Sequence, residues 1–205
     1  LISYFFSGNL FNMKPHNMID SMSPSKGEPP KNLFGFINWS LNGSFLMLGV
    51  SSIFSILTGV MEVSAALILG WLIDAALSSS PENPLTNEIF LFSLGIAFFL
   101  VIRPVIFGVT SYMQTMVITP NIYNLVLSRL HRWTLGQSIT FFEDDFAGRI
   151  AQKELQTARA VTDVVVELLQ TVVFALASII GAAFMLISLN FSLMVCLFIW
   201  LLLYL

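Results

Sequence analysis

Apolar residues fill the chain from Phe45 to Leu77, interrupted by two charges, Glu62 and Asp74. As a helix this run is about 50 Å long against a hydrocarbon core of about 30 Å, which predicts a first membrane span over 45–77. The polar break after it carries Pro81 and Pro84 and reads as a short loop. A second apolar run covers 89–118 with one charge, Arg103, and Pro104 directly after it. Proline removes a helix hydrogen bond, so a kink is expected there. A third run covers 164–189 and a fourth 191–205, separated by a minimal turn at Asn190.

Between the second and third runs the pattern changes from continuous to periodic. Ile122, Leu125, Val126, Leu130 and Trp133 recur at helical spacing with polar and basic residues between them, and 149–163 is again polar and helical in type. The second span is therefore expected to continue as an amphipathic rod to 137, and the third to begin with a rod from 149. Two readings fit the periodicity: a pair of helices projecting into water, or a pair lying on the membrane surface. Within the third span Ala177 and Gly181, and likewise Ser178 and Ala182, stand four apart and let a neighbouring helix approach closely.

The chain before the first span is different in kind. Residues 1–31 are rich in Ser, Pro, Gly and Asn toward their end and cannot bury enough apolar surface to offset chain entropy, which predicts a disordered tail. Residues 32–42 crowd Leu33, Phe34, Phe36, Ile37, Trp39 and Leu41 into a segment too short to span, a pattern suited to a helix at the membrane interface. Leu1 is not a methionine and Leu205 falls inside an apolar run, so both ends read as cut.

Composition agrees with the pattern: of 205 residues 56% are hydrophobic and 10% charged, where a water-soluble domain carries about 25% charged residues. The formal net charge of -3 and the lack of a dense Lys/Arg cluster disfavour nucleic acid as a partner. Cys196 is the lone cysteine, and His16 and His131 have no companions at ligand spacing, so no metal site is assigned. Of the nine Lys and Arg, three lie in the tail, one at position 103 and five between the second and third spans. The positive-inside rule then places the N-terminus and the long connection in the cytoplasm. Glu62 lies 15 residues before Leu77 and Arg103 lies 15 after Glu88, at matching depth in adjacent antiparallel helices. Ionisable groups at such depth are costly unless paired or wetted, which predicts an ion pair that either holds the first two spans together or lines a polar substrate cavity.

The connection between the rods, Leu135 to Ala151, reads Leu-Gly-Gln-Ser-Ile-Thr-Phe-Phe-Glu-Asp-Asp-Phe-Ala-Gly-Arg-Ile-Ala. It resembles the first intracellular loop of ABC exporters with the type-I transmembrane fold, which shows a hydroxyl residue, a pair of Phe, an acidic residue and a Gly between long second and third spans. The version with Asp145, Phe146, Ala147 and Gly148 is similar to bacterial multidrug or lipid-exporter-like half-transporters. The resemblance extends in order and spacing over about 31–205.

The resemblance implies an all-α polytopic membrane protein, with 43–205 supplying the first four of six long transmembrane helices of an exporter transmembrane domain. It implies a coupling helix over 138–146, with Ser138, Phe141, Phe142, Glu143, Asp144, Asp145, Phe146 and Gly148 meeting a nucleotide-binding domain. It further implies a bacterial inner-membrane location, a second half-transporter as identical or different partner, and ATP with Mg2+ as cofactors of the intact protein. Amphipathic or hydrophobic substrates such as drugs, lipids or peptides would leave the cytoplasm by alternating access. No G-x-x-x-x-G-K-[ST] phosphate loop occurs in these 205 residues, so nothing catalytic is assigned to them. The competing expectations are a stand-alone four-span membrane protein, such as an ion-coupled carrier using Glu62 without an ATPase, and an inactive remnant.

Overall fold

The computed structural model describes residues 19–25, 27–78, 89–143 and 146–204; the expected outer loop, Asp144 and Asp145 lie outside the described residues. Among those described, the secondary structure is helical and contains no strand. Helix α1 is Leu33–Leu41 and α2 is Phe45–Ser78. Helix α3 runs unbroken over Ile89–Leu135, a single turn of helix α4 covers Ile139–Glu143, α5 covers Ala147–Leu189 and α6 covers Phe191–Tyr204. Three of them, α2, α3 and α5, are long and apolar enough to cross a membrane. In lipid a spanning segment must satisfy every backbone group internally, which a continuous helix does.

Helix α3 meets its two prolines in the same way. A π-helical turn, Phe98–Ile102, stands before Pro104, and the Arg103 N–H reaches five residues back to Phe98 O. A second, Met113–Ile118, stands before Pro120, and the Thr119 N–H reaches five back to Gln114 O. The proline ring lacks a donor and crowds the carbonyl four residues earlier. The widened turn opens the helix at that carbonyl, so α3 continues through each proline instead of ending there. A third π turn, Leu168–Val173, interrupts α5 with no proline near it.

The chain divides into two compact units. The first contains the described residues up to Ser51 together with Ser111–Leu168. Its core is the fully buried stripe Val117, Ile118, Ile122, Leu125 and Val126 of α3, facing a stretch of α5 that buries Ile150, Ala158, Val161 and Val165. The periodic stretches of α3 and α5 thus bury their apolar faces against each other. His131 Nδ1 and Glu154 Oε2 are 3.3 Å apart across this pair. Helix α1 lies along α3, burying Trp39 and Leu41 and leaving Leu33 and Phe34 exposed.

Residues 19–25 differ from the disordered tail expected of 1–31. Ile19 is 2% exposed, Ser128 donates to Ser21 O at 2.8 Å and Arg132 to Met22 O at 2.6 Å. Composition argues against a self-sufficient core, but here the segment borrows a surface from α3.

The second unit contains Ser52–Thr110 and the chain from Leu169 onward. Its tightest approach is at Gly59 of α2, where an added Cβ would lie 2.8 Å from Phe174 O and 2.9 Å from Ala177 Cβ of α5. The Ser178 hydroxyl donates to Phe174 O and reaches Gly59 O at 3.4 Å, and Gly181 faces Val63. Small residues four apart on α5 therefore meet a glycine on α2, the geometry that close backbone approach requires. Nearby, the Thr58 and Thr110 hydroxyls lie 2.9 Å apart between α2 and α3.

This packing makes a prediction. Gly59→Ala is expected to destabilise the protein in detergent by about 1–3 kcal/mol, since backbone must move to admit the methyl group. Gly70→Ala, on the same helix with nothing within 4 Å of the new methyl, should be neutral or slightly stabilising. Equal unfolding midpoints for the two variants in a denaturing-detergent titration would contradict the close approach.

Candidate functional site

In the first unit the α3 and α5 rods are joined by Gly136–Phe146. Helix α3 stops at Gly136, whose N–H bonds back to Trp133 O and Thr134 O. Ser138 is exposed, its hydroxyl 2.7 Å from that of Thr140, and its carbonyl accepts from the Phe141 N–H. The helix α4 that follows is only five residues long, shorter than the 138–146 expected for a coupling helix. Phe146 then adopts an extended conformation, and its carbonyl accepts from the N–H groups of Arg149 and Ile150 to open α5.

The three phenylalanines of this loop do not share a fate. Phe141 is half-buried and sits edge-on to Trp133, the last aromatic of α3, at 6.3 Å between ring centres. Phe142 packs edge-on to Phe141 at 5.4 Å yet remains exposed. Phe146 is 82% exposed. Phe141 thus closes the loop on its own rod, while Phe142, Phe146 and the exposed Glu143 and Gly148 face outward. A protruding aromatic pair beside a carboxylate can bury apolar area in a partner's groove and exclude water there.

In the second unit Arg103 Nη2 and Glu62 Oε2 are 2.7 Å apart, joining α3 to α2. The Arg103 guanidinium also lies over the Phe107 ring, 5.6 Å from its centre, a cation–π contact one helical turn along. The two side chains remain 33% and 47% exposed. The π turn that ends at Ile102 shifts the phase of α3 at the residue carrying the charge, so it takes part in setting which way Arg103 points.

One heavily hydrogen-bonded side chain, Arg129, is not among the residues the sequence singles out. Arg129 of α3 is 3% exposed, and its guanidinium makes five hydrogen bonds. Nε donates to Ser23 O at 3.2 Å, Nη1 to Trp39 O at 2.8 Å and Ser40 O at 3.0 Å, and Nη2 to Ser23 Oγ at 3.0 Å and Asn42 O at 2.6 Å. Burial first, and then the Arg132 guanidinium, lower the Arg129 pKa, with Asp20 opposing them. An arginine nevertheless remains a cation under any physiological condition. Its partners lie 87–106 residues away, so no local period announces them.

Among the described residues the geometry thus defines three helices fit to cross a membrane and a packed helix pair ending in exposed aromatics. The chain is 32% identical over 163 residues to an "Uncharacterized ABC transporter ATP-binding protein" of Haemophilus influenzae, a similarity covering 79% of this chain. The chain spans 26% of that relative's length. No protein-family model matches the chain, and no solved structure matches it.

The Arg103 to Glu62 contact makes a second prediction. In a double-mutant cycle of Arg103→Met and Glu62→Gln, a coupling of about 1 kcal/mol is expected in detergent unfolding, with the double variant more stable than Arg103→Met alone. Equal stability of the single and double variants would remove the pair from any account of how α2 and α3 hold together.

Proposed function

We propose that these residues form part of the transmembrane domain of an ATP-driven ABC exporter, with Ser138 to Gly148 as the loop that couples it to a nucleotide-binding domain. The observation that carries the reading is the burial of the two amphipathic rods against each other. Helices lying on a membrane would bury those faces in lipid, whereas here Ile122, Leu125 and Val126 are spent on α5 and leave polar faces outward. Length supports the same reading: 47 residues in α3 and 43 in α5 correspond to about 70 and 65 Å, more than twice the hydrocarbon core. Such helices can carry their far ends into water while their apolar halves stay in lipid. The Haemophilus influenzae relative, an ABC transporter protein by its description, adds weight.

In this mechanism ATP and Mg2+ are held by residues outside these 205, which contain no phosphate loop. Phe142 and Phe146 seat in the ATPase domain, Glu143 and the neighbouring Asp144 and Asp145 rim the contact, and the rods convey ATPase closure to the spans. Two half-transporters, identical or different, enclose a cavity that alternates between cytoplasmic and outer access. The surrounding membrane is the bacterial inner membrane, with the N-terminus in the cytoplasm. Substrates are amphipathic or hydrophobic, in keeping with apolar spans. Glu62 and Arg103 tie two spans together beside Pro104; as a second role they border the cavity, since both keep exposed surface.

The test uses the whole polypeptide that contains these residues, reconstituted in lipid with a spin label at the exposed position Leu155→Cys. Trapping with ATP, Mg2+ and vanadate is expected to shift the label-to-label distance between two copies. Phe142→Asp with Phe146→Asp should abolish the shift while retaining ATP hydrolysis, because two interface aromatics contribute about 2 kcal/mol each. Absence of any dipolar signal removes an identical partner, and a distance unresponsive to nucleotide removes the ATPase coupling in favour of a stand-alone carrier.

A further inference from the structure

Arg129 has no role in the reading above, yet it is the point at which three separate stretches of chain meet. Helix α1 ends with the orphan carbonyls every helix end leaves. Ile37 O accepts from the Ser40 hydroxyl, and Leu41 O from the N–H and hydroxyl of Ser44. Trp39 O and Ser40 O are satisfied by Arg129, supplied by α3 rather than by α1, which has no basic residue in its last turn. The same guanidinium takes Asn42 O, at the turn where Gly43 adopts a positive φ of 88° and the chain swings into α2. It also takes Ser23, fastening the segment that precedes α1.

Between α1 and α5 runs an open apolar groove lined by Leu33, Phe36 and Ile37 facing Ala160, Val161 and Val164. The polar join of α1 to α3 is gathered in one rigid, planar cation whose donors fan out to four carbonyls and a hydroxyl. A lysine at this position would present a single ammonium and could not span that fan.

We propose that Arg129 is a positioning residue that makes residues 19–42 part of the coupling lever, so that the interfacial helix α1 moves with the α3–α5 pair instead of floating in the membrane surface. This rests on the exporter reading for what drives the motion, but not for the existence of the staple. Lever motion is then delivered to two places at once: to the spans, and to the amphipathic helix at their margin.

Two measurements on the full-length protein in lipid separate these parts. In the resting state, trypsin cleavage after the exposed Lys31 should be at least tenfold faster in Arg129→Met than in wild type, with Arg129→Lys between them; an unchanged rate overturns the staple. Spin labels at Phe34→Cys, on the exposed face of α1, should shift on trapping with ATP and vanadate in wild type. In Arg129→Lys or Arg129→Met that shift should be lost while the shift at position 155 persists. A label at position 34 that still moves with the lever in both variants overturns the positioning role. If position 155 does not respond to nucleotide in the wild type, the exporter reading falls and takes the coupled motion with it, while the proteolysis result still decides the staple.

Discussion

The burial of one apolar stripe against another, Ile118, Ile122, Leu125 and Val126 of α3 against Ile150, Ala158, Val161 and Val165 of α5, is the interaction on which the rest of the first unit depends. Each rod alone is half apolar and would seek lipid or a partner. Paired, they need neither, and their polar faces are left free for water. The Gly136 stop, the single turn of α4 and the extended Phe146 follow as the shortest way to reverse the chain between two such rods. The loop's exposed aromatics are then held at the end of a stiff support rather than on a mobile linker.

A second constraint acts on α3, which must stay continuous through Pro104 and Pro120. An uninterrupted α-helical register would press each ring against a carbonyl. The π turns before the prolines relieve that pressure and change the angular phase of everything downstream. Arg103 emerges from the first of them facing Glu62, and the buried face of the α3 rod starts within the second, at Val117 and Ile118, and continues through Ile122. Local accommodation of proline is thus connected to which side chains meet across helices, a link between backbone chemistry and the placement of charge.

Polar groups in the two units serve unlike purposes. The Thr58 to Thr110 contact and the Arg103 to Glu62 pair join helices that are otherwise apolar, where an unpaired charge or hydroxyl would find no water. Arg129 joins segments by donating to their backbone carbonyls. Arg129 answers the carbonyls left open by a helix end, and Arg103 and Glu62 answer each other's charge. The close contact at Gly59 is the reverse case, in which absence of a side chain lets Ser178 approach a carbonyl of the next helix.

The positions of the long helices were readable from the chain, because hydropathy and a 3.6-residue period are local properties and lipid-compatible backbone has few alternatives. So were the breaks near Gly136 and at Asn190, and the small-residue spacing around Gly181. Matching depth brought Glu62 and Arg103 together on paper, since antiparallel helices share a common axis. What the chain could not disclose was Arg129, one polar residue among several on an amphipathic rod, whose partners are backbone carbonyls about a hundred residues earlier. Carbonyls carry no sequence signature. For the same reason residues 19–25 read as a tail by composition and acquire order only from a surface that α3 provides, and Phe141 reads like Phe142 and Phe146 until Trp133 claims it. Sequence determined which segments are helical and which faces are apolar; tertiary structure decided which faces meet, because that depends on contacts between residues no local pattern relates.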